Sequence, residues 1–141
     1  MLGVRLTQIS AVYMVVGLGL GLGMGISGDF SMSSVHAHIL LLGWTTMAIC
    51  GIVYLVAPGC ARSRLAALHF WGHNLGLPVM MASLALKTYG YESAQPAIAA
   101  SSTLVLVSLA VFAANLLRNA GAYLPAPTTA NPPSTRRAVS P

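Results

Sequence analysis

Four histidines hold most of the chemistry that the side chains of this sequence offer. His36 and His38 stand in "SSVHAHILLLGW", residues 33–44, at the entrance to an apolar run. His69 and His73 stand in "ALHFWGHNLGLPVMM", residues 67–81. An imidazole is costly in apolar surroundings unless it ligates a metal or hydrogen-bonds a neighbour. The two spacings ask for different geometry. Two residues on a helix correspond to about 200° of rotation, so His36 and His38 face opposite sides and suit two separate sites rather than one small ion. His69 and His73 are an i, i+4 pair and share one face. That face could hold a metal ion, or it could simply pack, because Phe70 and Trp71 surround it. For either pair the plain alternative is a hydrogen bond to a neighbouring helix and nothing more.

The elements that must position these residues are membrane helices. The chain has 141 residues, 56% of them hydrophobic and only 6% charged, whereas a soluble domain carries about 25% charged residues. Four windows without charge are predicted as spans: residues 6–26, 35–57, 65–86 and 97–117. Each is close to the roughly 20 residues that cross an apolar core about 30 Å thick. The expected class is an all-α membrane protein, with a four-helix transmembrane domain over residues 1–118.

The net charge of +5 is explained by topology rather than by nucleic acid, which is not an expected partner. Of seven basic residues, Arg5, Arg62, Arg64, Arg118, Arg136 and Arg137 fall on one side of the spans and Lys87 alone on the other. The positive-inside rule then places both termini in the cytoplasm. The two acids, Asp29 and Glu92, belong to the outer loops. "GISGDF" offers no cleavage site after the first apolar run, so that run is expected to be a retained helix. Cys50 in a span and Cys60 in a loop support neither a disulfide nor a thiolate metal site.

Several local signals refine the helices. "GLGLGLGMG" sets Gly17, Gly21 and Gly25 on one face of the first helix, a spacing that lets helices approach closely in lipid. Ser33 or Ser34 is the expected N-cap of the second helix. "PGCARSR" ends that helix, and Pro78 is expected to kink the third. Residues 119–141 hold five of the eight prolines and read as a disordered cytoplasmic tail. Counting along the helices puts His38 about 6 Å below the outer end of the second helix and His73 about 13 Å above the inner end of the third. The two pairs are then more than about 10 Å apart along the membrane normal and are not expected to share a metal within one chain.

"VHAHILLLGWTTMAICGIVYLVAP" followed by "LHFWGHNLGLPVMM" resembles the tenth and eleventh helices of haem-copper oxidase subunit I, and most nearly the cbb class. The shared order is H-x-H, L-G-W, a tyrosine region closing in proline, and H-F-W, over roughly residues 35–81. The resemblance implies one four-helix arc of the subunit I fold and haem b as cofactor. By it, His36 matches the axial ligand of the high-spin haem and His38 that of the low-spin haem. His69 inherits no ligand role, and His73 has no counterpart. The oxidases need about six histidines for their haems and copper, and this chain has four. A self-contained oxidase is therefore not expected, copper is not expected, and enzymatic activity is left open.

The expected function is haem binding in respiratory electron transfer or in gas or redox sensing, in the bacterial inner membrane. The alternatives are a subunit of an oxygen or nitric oxide reductase complex, or a non-haem accessory or assembly factor for a terminal oxidase. Expected partners are the lipid bilayer, a respiratory oxidase or reductase, and further copies of the chain. Subunit I resembles three such arcs around an approximate threefold axis, so a trimer with haem at its interfaces is expected. A monomer or dimer with one histidine ligand and water is the alternative.

Overall fold

The computed structural model describes residues 1–119, which are helical with no strand among them. Four long helices follow one another: α1 (Leu2–Ser27), α2 (Ser33–Val56), α3 (Arg64–Thr88) and α4 (Gln95–Asn119). Each predicted span falls on one of them, with ends shifted by one to four residues. Of the expected tail only Asn119 is described, and it is the last residue of α4; the rest lies outside the described residues. α1, α2 and α4 are long and apolar enough to cross a membrane. α3 has as many residues as α4, 25, but is less apolar, because it carries His69, His73 and Asn74, of which both histidines are buried.

The helix ends have local causes. Gly28 terminates α1 in the left-handed conformation (φ 71°), and its N–H donates to the Met24 carbonyl at 2.9 Å. In the loop that follows, the Ser31 N–H donates to Asp29 Oδ1 at 2.9 Å and draws that carboxyl below its usual range. The N-cap of α2 is Met32 rather than the expected serine. Ser33 already lies within the helix, and its hydroxyl turns back to the Phe30 carbonyl. Ser63 does cap α3, accepting the Ala66 N–H at 3.1 Å. α3 runs through Pro78 as one element. α2 is composite: its middle, Ile39–Thr46, is wound as a π-helix directly after His38.

The helices pair as two antiparallel seams set by small residues. Between α1 and α2, a Cβ on Gly3 would stand 2.7 Å from the Gly51 carbonyl oxygen, and one on Gly17 would overlap Leu40 Cδ2. Gly43 of α2 receives the Tyr13 ring, whose Cγ lies 2.6 Å from where a Cβ would be. Between α3 and α4, a Cβ on Gly72 or Gly76 would meet Ser108 Cβ at 3.0 Å or Val105 Cγ2 at 2.9 Å. Leu6, Met47, Tyr54, Phe70, Leu77 and Val105 form the core where the seams meet. Of the expected glycine face on α1, Gly17 and Gly21 are packed, while Gly25 meets open space.

The arginine end is closed by one amide. Asn115 is fully buried. Its Nδ2 donates to the Cys60 carbonyl at 2.9 Å, and its Oδ1 accepts the Ser63 hydroxyl and Asn119 Nδ2, each at 2.7 Å. Cys60, expected in a loop, is fully buried in the short helix Pro58–Arg62 beneath this amide. Cys50 and Cys60 are both free thiols. Replacing Asn115 with leucine keeps the γ-branched shape but strands the Ser63 hydroxyl's proton and leaves the Cys60 carbonyl only the Ser63 N–H, at 3.3 Å. We expect Asn115→Leu to destabilise the bundle by about 2 kcal/mol, read as a lowered thermal midpoint by circular dichroism in detergent. An unchanged midpoint would contradict the role of this amide.

Candidate functional site

The H-x-H pair sits on the first turns of α2, where that helix passes the glycine face of α1. His36 lies over Gly21: a Cβ there would be 2.6 Å from His36 Cε1 and 3.2 Å from its Nδ1. Only a glycine admits the ring. The imidazole is fixed by Nδ1, which lies 2.9 Å from the Gly17 carbonyl oxygen one turn earlier on α1. A carbonyl oxygen can only accept, so Nδ1 carries the proton and Nε2 keeps its lone pair. His38 makes the same choice with a different partner, its Nδ1 lying 2.7 Å from the Ser34 carbonyl oxygen of its own helix. Both rings are half-buried.

Neither Nε2 of this pair is enclosed. Among the described residues, the one fully buried side-chain nitrogen or oxygen without a partner is His73 Nδ1. His36 and His38 thus combine a protonated nitrogen anchored to a backbone carbonyl with a free, basic nitrogen opposite it. Metal-bound histidines are oriented in this way, the anchored N–H fixing the tautomer that leaves the other nitrogen to ligate.

The second pair is internal. His69 and His73 are each 1% exposed, with ring centroids 5.7 Å apart. His73 Nε2 lies 3.1 Å from the Leu42 carbonyl oxygen, inside the π-helical segment of α2. His69 Nδ1 lies 3.2 Å from the Tyr54 hydroxyl, and the Phe112 ring is 5.0 Å away. Asn115 Nδ2 also reaches the Tyr54 hydroxyl, at 3.5 Å. The donors run in one direction: Ser63 hydroxyl to Asn115, Asn115 amide to Tyr54, Tyr54 hydroxyl to His69. Accepting from Asn115, Tyr54 turns its own proton toward His69 Nδ1, which leaves His69 protonated on Nε2.

His73 meets α2 at Leu42, four residues or about 6 Å along the helix from His38. His73 Nε2 is nevertheless committed to a carbonyl, and no three His, Cys, Asp or Glu side chains among the described residues converge on a common point. The structure therefore separates the four histidines into two whose Nε2 is not enclosed and two that are buried, His69 on the Tyr54 hydroxyl and His73 on the Leu42 carbonyl. Tyr54, Ser63 and Asn115 went unassigned in the sequence. Asn115 carried a signal, as a carboxamide inside the apolar run of the fourth span.

Histidine-selective 15N NMR at a pH well above the usual imidazole value of about 6.5 tests this division. His36 and His38 are expected as Nδ1–H tautomers, and His69 and His73 as Nε2–H tautomers. A spectrum with all four rings protonated on Nε2 would overturn it.

Comparison with protein-family models, with curated proteins and with solved structures returned no match for this chain.

Proposed function

We propose that this chain is a haem-b-binding membrane protein, related to haem-copper oxidase subunit I, that serves respiratory electron transfer or gas or redox sensing. The observation that carries the proposal is the pair of outward lone pairs: His36 and His38 are each anchored through Nδ1 to a backbone carbonyl and free at Nε2. The donor set fits an iron porphyrin, which takes neutral imidazole nitrogens as axial ligands. The half-buried setting of both rings and the open surface at Gly25, one turn beyond Gly21, suit a flat, largely apolar group. Bound haem would supply a one-electron couple and, at an iron with a vacant position, a place for a diatomic gas. His36 and His38 would hold it; Gly17 and Ser34 would keep their imidazoles in the ligating tautomer.

In this reading α3 is a fourth span whose polar groups face the bundle, and the arginine end lies in the cytoplasm of a bacterial inner membrane. Arg5, Arg62, Arg64 and Arg118 support that orientation, with Asp29, Glu92 and Lys87 at the opposite end. One chain gives each face of α2 a single ligand. His36 and His38 are only about 3 Å apart along the helix axis, so parallel copies hold them at nearly equal depth. A ring of three copies, with His36 of one chain and His38 of the next on a shared haem, completes the ligand set. A partner respiratory oxidase or reductase would stand outside that ring. The non-haem accessory reading is the alternative, favoured by the fact that no single chain offers two converging ligands.

Titration of purified protein with haem, followed by optical absorption and native mass measurement, tests the proposal. A saturable Soret band is expected, on a species larger than the monomer. His36→Ala and His38→Ala should each weaken binding by about tenfold or more, as the loss of a ligand requires, while His73→Ala changes it little. Full binding by both H-x-H variants would reject ligation, and a haem-loaded monomer would reject the shared haem. A chain that takes no haem leaves the accessory function.

A further inference from the structure

Beyond the histidines, one surface feature stands apart from the seams. Between α3 and α4, at the arginine end, lies an open groove of about 700 Å³ lined by Arg64, Leu68, Trp71, Leu75, Leu104 and Val107. Its floor is the close approach at Gly72, where a Cβ would stand 3.0 Å from Ser108 Cβ. The absent side chain keeps the groove deep while its flanks remain large and apolar. From Arg64 to Leu75 it runs eleven residues of helix, about 16 Å. That length matches one leaflet of hydrocarbon, half of a core about 30 Å thick.

The charge is at one end only. Arg64 stands at the mouth. Arg62 is two residues away, and Arg118 is one turn from Asn115, whose Oδ1 accepts the Ser63 hydroxyl. The chain's two acids, Asp29 and Glu92, belong to the opposite end. A parallel second copy would therefore bring Arg64 no acidic side chain. A helix, about 10 Å across, is also a poor filling for a groove floored by touching helices. What is complementary is a slender apolar chain with a negative group at its end.

We propose that this groove seats one acyl chain of an anionic phospholipid, with the headgroup phosphate held by Arg64. Basic pockets between membrane helices on the cytoplasmic side bind such headgroups, and a guanidinium grips phosphate oxygens through paired N–H donors. The inference rests on the reading of α3 as a membrane span.

The test uses the full chain in phosphatidylcholine vesicles carrying a small fraction of spin-labelled phosphatidylglycerol or, separately, spin-labelled phosphatidylcholine. The immobilised lipid fraction is read by electron paramagnetic resonance, and flotation of the same vesicles reports insertion. Phosphatidylglycerol should be preferred by about fivefold, the effect of one arginine at a membrane surface. Arg64→Gln should bring the preference toward parity, whereas Arg5→Gln, the same charge change on α1, should leave it intact. Val107→Trp, which fills the groove, should lower the immobilised fraction of both lipids. Soluble glycerol phosphate in excess should displace neither. Equal losses in Arg64→Gln and Arg5→Gln would reduce the effect to the general charge of that end and overturn the site, as would full immobilisation by Val107→Trp or displacement by glycerol phosphate. A chain that floats with the vesicles but shows no preference fails this inference alone. A chain that does not float fails the membrane reading as well.

Discussion

Asn115 has no water to turn to. It is fully buried between apolar helices, and an amide so placed must find its partners within the protein or cost several kcal/mol. Its partners are the Cys60 carbonyl, the Ser63 hydroxyl, Asn119 and the Tyr54 hydroxyl. Those contacts fix where α2 stops, where α3 starts and how α4 lies against both. They also reach the histidines, because a Tyr54 hydroxyl that accepts from Asn115 has its own proton left for His69. Ser63, Asn115, Tyr54 and His69 form one connected thread, and its end groups are set by its middle.

Above that thread the bundle is held by close approach. Lipid tails are as apolar as leucine, so burial alone does not drive membrane helices together, and small residues that let backbones touch take over. Gly3, Gly17 and Gly51 serve the α1–α2 seam, and Gly72 and Gly76 the α3–α4 seam. Gly21 differs from these, since the atom it admits belongs to an imidazole. The notch that allows α1 and α2 to pack is also what brings His36 Nδ1 to the Gly17 carbonyl. Packing and tautomer selection are thus one event at this position.

The two histidine pairs then diverge in character for a simple reason. His69 and His73 belong to α3, which packs on α4 and turns both histidines to the interior. His36 and His38 belong to the first turns of α2, at the end of the bundle away from Met1 and Asn119, where both residues are only half-buried. An imidazole enclosed on all sides ties one nitrogen to a neighbour and holds the other away from any outside ligand, as at His73 Nδ1. A half-buried one keeps a nitrogen for something else.

The all-helical class and the positions of the four long helices were legible in the sequence, because apolar runs of about 20 residues have few other stable forms. The concentration of basic residues at one end was legible too, since it needs only the order of the spans. Within the H-x-H motif, the expectation of two separate sites came from helix geometry alone, and the different Nδ1 partners, the Gly17 and Ser34 carbonyls, came with the fold. Other features depended on neighbours that residue order does not reveal. The Ser33 hydroxyl chose the Phe30 carbonyl over a capping role, Cys60 was buried by Asn115, and the middle of α2 wound as a π-helix. Which nitrogen of each histidine carries the proton was likewise decided only by folding. That choice depends on whether the nearest acceptor is the Gly17, Ser34 or Leu42 carbonyl, and the Gly17 and Leu42 contacts join residues nineteen and thirty-one positions apart.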